Sequence, residues 1–134
     1  MILVDTSAWV AFLRATGGAA HLRARSLLAQ DEPLATTEPV IMEVLAGARD
    51  DAHLQRLQGL LLRCELLPLQ GLADYEAAAA LYRTCRREGE TIRRLTDCLI
   101  AIPAIRAGAA ILHEDKDFDA IARHSALKIA GMEH

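Results

Sequence analysis

The stretch Met1-Ile2-Leu3-Val4-Asp5 places four consecutive apolar residues directly before an acid. A short, unbroken apolar run of this kind is typical of a strand that is buried on both faces of a parallel sheet. A second run, Ala109-Ala110-Ile111-Leu112, repeats the pattern and leads into His113-Glu114-Asp115-Lys116-Asp117. The carboxyl ends of parallel strands share one edge of a sheet, where ligands bind in open α/β folds. We therefore expect Asp5 and the second group of acids to approach one another.

The rest of the chain alternates between short apolar stretches and segments with helical periodicity. Further strands are predicted at residues 33–36, 65–69 and 127–130. Pro68 makes the middle one of these an edge strand, because proline cannot donate to a neighbouring strand. Helices are predicted around residues 9–13, 21–29, 37–47, 52–63, 72–87, 96–107 and 118–123. This alternation predicts one α/β domain over residues 1–134 with a mainly parallel, doubly wound sheet of about five strands.

Two of the predicted helices carry acids near their starts. Thr37 is predicted as the N-cap of a short helix that carries Glu43 at the edge of its apolar stripe. Thr96 is predicted as the N-cap of a later helix, which places Asp97 in the first turn, where backbone N–H groups and the helix dipole favour an anion. Pro103 lies inside that later helix and predicts a kink, because it removes one helical hydrogen bond.

Composition restricts the possible classes of protein. The 134 residues, 52% of them hydrophobic, suffice for one domain with a sizeable core. The formal net charge of −3 argues against a nucleic-acid binder that relies on a large basic surface. An apolar run long enough to cross a membrane is absent from the sequence, and the three cysteines lack C-x-x-C spacing. These features favour a protein of the cytoplasm with reduced cysteines and no membrane partner.

The acids Asp5, Glu43, Asp97 and Asp115 are expected to converge at the ligand-binding edge of the sheet. Two carboxylates 4 Å apart repel by about 4 kcal/mol at an effective dielectric near 20, so a cation or protons must be present. Carboxylate oxygens without a nearby cluster of His or Cys prefer Mg²⁺ or Mn²⁺ to zinc. Such an ion favours a phosphate ester as substrate and water as the nucleophile.

Four segments of the chain together resemble the signature motifs of PIN-domain nucleases, and more narrowly of VapC-type toxins. They are Val4-Asp5-Thr6-Ser7-Ala8-Trp9, Glu43-Val44-Leu45-Ala46-Gly47, Asp97-Cys98-Leu99-Ile100-Ala101 and Asp115-Lys116-Asp117-Phe118. They occur in the family's order and span nearly the whole chain. The resemblance implies a three-layer α/β/α PIN-like fold and a Mg²⁺- or Mn²⁺-dependent endoribonuclease that acts as the toxin of a type II toxin–antitoxin system. It also implies a homodimer and a VapB-type antitoxin partner that blocks the site.

The resemblance also implies roles for individual residues. The catalytic, metal-binding acids are Asp5, Glu43, Asp97 and Asp115, and Asp117 is an additional metal ligand. The supporting residues are Thr6 and Ser7, either of which would position a metal-bound water, and Arg93 and Arg94, which would contact the RNA backbone. Pro103 and Cys98 depart from the family pattern without removing a ligand. Asp119 is assigned to helix capping.

Two other functions are compatible with parts of the pattern. In a phosphatase or phosphoacceptor domain Asp5 would itself be the nucleophile, but Ser7 stands where the second aspartate of the usual D-x-D would be. A catalytically inactive PIN-like module that binds RNA or protein predicts the loss of at least one acid, and all four are present. A related structure-specific DNA nuclease would need helical insertions for which a chain of this length has no room.

Overall fold

The computed structural model describes residues 1–132, and these contain one five-stranded parallel sheet. Its strands are β1 (Ile2–Val4), β2 (Leu34–Thr36), β3 (Glu65–Leu66), β4 (Ala110–Leu112) and β5 (Lys128–Ile129). They lie in the order β3-β2-β1-β4-β5, and each neighbouring pair is parallel. The predicted sheet is confirmed. The β3 strand lies at an edge as predicted but ends before Pro68; the last bond to β2 is donated by the Leu67 N–H to the Thr36 carbonyl at 2.8 Å.

Seven helices accompany these strands within residues 1–132. They are α1 (Thr6–Leu13), α2 (Ala19–Ala29), α3 (Glu38–Ala46), α4 (Asp51–Leu61), α5 (Leu72–Arg87), α6 (Leu95–Ala107) and α7 (Asp117–Arg123). Connections between parallel strands are almost always right-handed. Since β1 to β3 advance towards one edge of the sheet and β4 to β5 towards the other, α1–α4 lie on one face and α5–α7 on the opposite face. The result is the expected three-layer α/β/α architecture.

The first and fourth strands lie in the interior of the sheet, and the last two residues of each are fully buried. Leu3, Val4, Ile111 and Leu112 are inaccessible to solvent, as the unbroken apolar runs predicted. Val4 is paired with Leu112, and the backbone N–H of Asp5 donates to the Leu112 carbonyl at 3.0 Å. The chain turns towards opposite edges after β1 and after β4, so this pair is the topological switch point at which open α/β sheets bind ligands.

The start of α6 differs from the prediction. Thr96 is not the N-cap: the helix begins at Leu95, and Arg94 is the N-cap, without a side-chain capping bond. The reason is that the Asp97 N–H already bonds to the Arg94 carbonyl at 2.9 Å, so the helix begins two residues earlier than predicted. Asp97 nevertheless lies in the first turn, and Gly108 ends the helix in the left-handed conformation with φ of 67°. Helical structure continues on both sides of Pro103, and the kink stays a prediction.

None of the helices in residues 1–132 combines the length and the apolar character that a membrane crossing requires.

A candidate metal centre at the switch point

Three of the predicted acids form a compact cluster. Asp97, Asp115 and Asp117 each offer a carboxylate oxygen, and these oxygens lie within 4.8 Å of one another. Asp97 comes from the first turn of α6, Asp115 from the loop after β4, and Asp117 from the first residue of α7. Asp97 is distant from the other two in sequence, but it lies close to them in space because α6 packs beside β4 and α7.

Asp5 borders this cluster at the end of β1. It is fully buried and is the N-cap of α1; its Oδ2 accepts hydrogen bonds from the Ser7 N–H at 2.9 Å and the Ser7 hydroxyl at 2.6 Å. Its other oxygen, Oδ1, has no hydrogen-bond partner among residues 1–132. Burial raises the pKa of Asp5, and the bonds from Ser7 only partly offset this effect.

Asp97 is the least compensated acid of the group. It is fully buried, and neither of its oxygens has a hydrogen-bond partner in the part of the chain that the structure describes. Burial raises the pKa of Asp97 to about 9, with further contributions from the neighbouring carboxylates of Asp115 and Asp5. A buried carboxyl group with two unsatisfied oxygens is costly unless it holds a proton or a cation.

Asp115 has the opposite electrostatic character. Burial acts to raise its pKa, but the neighbouring Asp97 carboxyl group, the hydrogen bond from the Asp117 N–H and the charges of Arg94 and Arg93 leave the pKa below its ordinary value. With its pKa at about 9, Asp97 is the acid of the pair that holds a proton at neutral pH in the absence of metal. A dication that displaces this proton would be bound by the carboxylates of both Asp97 and Asp115.

Glu43 lies outside the three-residue cluster. Its carboxylate is ion-paired with the Arg94 guanidinium and accepts a hydrogen bond from the Thr6 hydroxyl at 3.1 Å. Glu43, Asp97, Asp5 and Asp115 all raise the pKa of Arg94, although burial acts against them. Arg94 is thus a cation in the midst of the acids, and Glu43 is not one of the three whose oxygens come together.

Both predicted supporting hydroxyls are bonded to protein groups. Thr6 donates to Glu43, while Ser7 donates to Asp5 and accepts from the Glu114 N–H at 2.9 Å. They fix the orientation of two acids and join the ends of β1 and β4. Their role in positioning a water stays a prediction.

Asp115 of the cluster lines a cavity of about 580 Å³ together with Ser7, Arg93, Arg94, Glu114 and Lys116. The side chain of Arg93 is 63% exposed; its guanidinium lies 3.7 Å from Asp115 Oδ1 and 3.5 Å from Asp117 Oδ1. The Arg93 backbone N–H also donates to Asp117 Oδ2 at 2.8 Å. The site therefore combines the acids with three basic residues that line the cavity, Arg93, Arg94 and Lys116, here called the basic rim.

The sequence interpretation missed one contact and misassigned one residue. His113 is buried and joins the cluster's loop to Asp119, so Asp119 bonds to a histidine ring and does not cap α7, as had been predicted. The available signal was a polar residue placed directly after a buried strand. Asp74, in the first turn of α5, is buried and ion-paired with Arg106.

The donor set fits a hard divalent cation. Asp5 and Asp97 together present three buried carboxylate oxygens without a hydrogen-bond donor in residues 1–132, beside the two further acids Asp115 and Asp117. Oxygen-only ligands of this kind suit Mg²⁺ or Mn²⁺.

The α/β/α fold and the acidic site at the switch point together agree with the PIN-like architecture expected from the sequence. The family model described as the PIN domain matches residues 2–124. The chain is therefore a member of the PIN domain family.

Similarity to individual proteins narrows the assignment. Over 131 residues, the chain is 48% identical to Ribonuclease VapC11 of Mycobacterium tuberculosis, covering 97% of this chain and 98% of that protein. It is also 30% identical over 120 residues to Ribonuclease VapC51 of the same species, covering 90% and 84% of the two chains. These values place it with the VapC group of the family.

Solved structures have the same fold at low sequence identity. VapBC-1 from nontypeable Haemophilus influenzae aligns with a TM-score of 0.71 and 18% identity, covering 98% of each chain. VapBC2 from Rickettsia felis, bound to a DNA fragment from its promoter, aligns with a TM-score of 0.68 and 20% identity, covering 97% of this chain and 98% of that one. Mycobacterium tuberculosis VapC20, a Sarcin-Ricin loop cleaving toxin, aligns with a TM-score of 0.66 and 21% identity, covering 96% and 99%.

Proposed function

We propose that this protein is a Mg²⁺- or Mn²⁺-dependent endoribonuclease, the toxin of a type II toxin–antitoxin pair, which hydrolyses phosphodiester bonds in RNA. The observation that carries the proposal is the set of three donor-free, buried carboxylate oxygens of Asp5 and Asp97 beside Asp115 and Asp117. The ribonuclease names of the VapC relatives support RNA as the substrate.

The acids contribute differently to binding the cation. Asp97, Asp115 and Asp117 are the primary ligands because their oxygens already lie together. Asp5 completes the set from β1, and Glu43 remains a predicted ligand whose carboxylate is engaged by Arg94 and Thr6. When bound, a Mg²⁺ or Mn²⁺ ion supplies a water of lowered pKa and stabilises the negative charge that develops on the phosphate.

The basic rim supplies the affinity for RNA. Arg93, Arg94 and Lys116 line the cavity beside Asp115, so their charges would attract a phosphate backbone that enters it. Backbone contacts of this kind position the RNA without reading its sequence. They also explain how a chain with a net charge of −3 binds a polyanion, because the cation neutralises the acids beneath the rim.

The proposal includes two protein partners, a second copy of the chain in a homodimer and a VapB-type antitoxin. An exposed apolar surface supports this part of the proposal. Met42 of α3, Tyr75 of α5 and Leu95 of α6 are 54–64% exposed and line a cavity of about 480 Å³. Clusters of exposed apolar side chains mark protein contact sites. An RNA substrate and an antitoxin partner would both be met in the cytoplasm.

The alternative functions have less support. An inactive binding module is disfavoured because all five acids are present and three of them converge. A phosphoacceptor role for Asp5 is disfavoured because Asp5 Oδ2 is bonded twice to Ser7, which holds the carboxylate in place as a ligand.

The test is cleavage of total cellular RNA by the purified protein with and without Mg²⁺ or Mn²⁺, followed by mapping of the new 5′ ends. We expect discrete ends only in the presence of metal, and none with Asp97→Asn. Asp51→Asn, which changes an exposed acid of α4, is the matched control and should cleave like the unchanged protein. Cleavage without metal, or equal cleavage by Asp97→Asn, would refute the proposal.

A further inference from the structure

We infer that His113 is a positioning residue that sets the metal affinity of the candidate site, and that Asp119 fixes the orientation of its ring. The inference rests on the proposed metal site, but it concerns a different part of the chain. His113 belongs to none of the predicted ligand or RNA-contact positions.

Both ring nitrogens of His113 are bonded within the protein. The Asp115 N–H donates to Nδ1 at 3.0 Å, which leaves the ring proton on Nε2. Nε2 then donates to Asp119 Oδ1, also at 3.0 Å. Because neither nitrogen is free, His113 is not a metal ligand, although it lies two residues from one.

Packing holds the ring in a single orientation. His113 is 7% exposed, and its ring lies 5.4 Å from that of Phe118, which is fully buried. Asp119 is one residue further along α7 and approaches the ring from the solvent side, with its own side chain 50% exposed. The ring is therefore fixed by the core on one side and by a carboxylate on the other.

The bond to the Asp115 amide determines where two acids of the cluster point. It sets the peptide plane directly before Asp115, whose Oδ1 in turn accepts the Asp117 N–H at 3.0 Å. Asp117 is then held by the Arg93 N–H at 2.8 Å. One ring thus fixes the loop that supplies two of the three clustered carboxylates, while Asp97 comes separately from α6.

Groups that orient metal ligands without touching the metal commonly alter metal affinity 10- to 100-fold when they are changed. The two ring nitrogens of His113 can be replaced one at a time. Asn places an acceptor near the position of Nδ1 and loses the link to Asp119. Gln places a donor near the position of Nε2 and loses the acceptor for the Asp115 amide.

The test is Mn²⁺ affinity, measured by titration calorimetry without RNA on the unchanged protein, His113→Gln, His113→Asn and Asp119→Ala. We expect His113→Gln to weaken Mn²⁺ binding by about 10-fold or more. His113→Asn and Asp119→Ala should weaken it only a few-fold, because the acceptor beside Asp115 is kept. Asp119→Ala alters a half-exposed side chain, so it tests the inference even if the His113 variants do not fold.

His53→Gln is the matched control. Its Nδ1 accepts the Arg49 N–H at 3.1 Å, which is the same kind of bond, but it lies on α4, which carries no acid of the cluster. A purely structural role for His113 would lower the Tm of both His113 variants and leave their Mn²⁺ affinities equal to that of the unchanged protein. That result, together with an unchanged Mn²⁺ affinity of Asp119→Ala, would overturn this inference but not the proposed metal site. Absence of Mn²⁺ binding by the unchanged protein would overturn the proposed metal site and this inference with it.

Discussion

The guanidinium of Arg94 is ion-paired with the carboxylate of Glu43, which joins the N-cap of α6 to the middle of α3. Glu43, Asp97, Asp5 and Asp115 all act on the same cation. In the metal-free protein, Arg94 therefore partly replaces the dication that the acids are arranged to hold. A metal ion must compete with this charge.

Replacing Arg94 by Gln should have opposite effects on the two states. The metal-free protein should unfold at a lower temperature, because the acids lose their compensating charge. Mn²⁺ should bind several-fold more tightly, so the rise in Tm on adding Mn²⁺ should be larger than in the unchanged protein. Thermal unfolding in EDTA and over a Mn²⁺ series measures both effects. Arg56→Gln, which alters an exposed arginine of α4, is the control, and identical behaviour of the two variants would contradict the interpretation.

The stability of the metal-free protein should depend on the protonation of Asp97. Its pKa is raised from 3.8 to about 9 in the folded state, so its favourable contribution is complete below about pH 4 and is lost as the pH rises through about 9. Urea unfolding in EDTA at pH 5, 7 and 9 should show the unchanged protein losing stability relative to Asp97→Asn, whose amide does not ionise. Parallel stability curves for the two proteins would exclude a buried, proton-holding Asp97.

The buried ion pair between Asp74 and Arg106 should contribute to stability without affecting the site. It connects the first turn of α5 to the end of α6, and Asp74 also accepts the Gln70 N–H at 2.8 Å. Arg106→Met should cost about 2–3 kcal/mol at pH 7, less than for a fully buried pair because the arginine is one-third exposed. Metal affinity should not change.

The same pair gives a pH dependence of opposite sign to that of Asp97. Hydrogen bonding by Arg106 holds the pKa of Asp74 below its ordinary value, so its contribution is present above about pH 4 and is lost as the pH falls further. The difference in unfolding free energy between Arg106→Met and the unchanged protein should therefore shrink in acid. A difference that stays constant down to pH 2.5 would show that the loss comes from side-chain packing.

Arg93 should contribute to RNA binding chiefly through its charge. In the cleavage-blocked Asp97→Asn background, Arg93→Gln should weaken binding of single-stranded RNA and reduce the slope of log K against log salt by about 0.7. Arg25→Gln, an exposed arginine of α2, should leave the slope unchanged. Equal slopes for all three proteins would remove Arg93 from the RNA contact.

The sequence predicted the features that depend on periodicity and topology. Unbroken apolar runs located β1 and β4, and their parallel arrangement predicted that Asp5 would lie beside the loop after β4, where Ser7 is bonded to Glu114. The first-turn position of Asp97 also follows from its local sequence. These features can be predicted because they depend only on the direction of each strand and on the edge of the sheet where the strand ends.

Contacts that depend on the reach of long side chains could not be predicted in this way. The pairing of Arg94 with Glu43 joins residues 51 positions apart, and no periodic pattern indicates which of several arginines is used. The bond from His113 to Asp119 depends on how the loop after β4 folds back over Phe118. The conformation of such a loop depends on local hydrogen bonds, and the spacing of residue types in the sequence does not predict these bonds.

The most direct measurement is the anomalous diffraction of Mn²⁺ in crystals of the protein at saturating metal concentration. A peak within coordination distance of carboxylate oxygens from Asp97, Asp115 and Asp117 is the expected result, and it should disappear in Asp97→Asn crystals of the same form. A saturated crystal without a peak at these three residues, or with its only peak elsewhere, would contradict the assignment of a shared dication to this site.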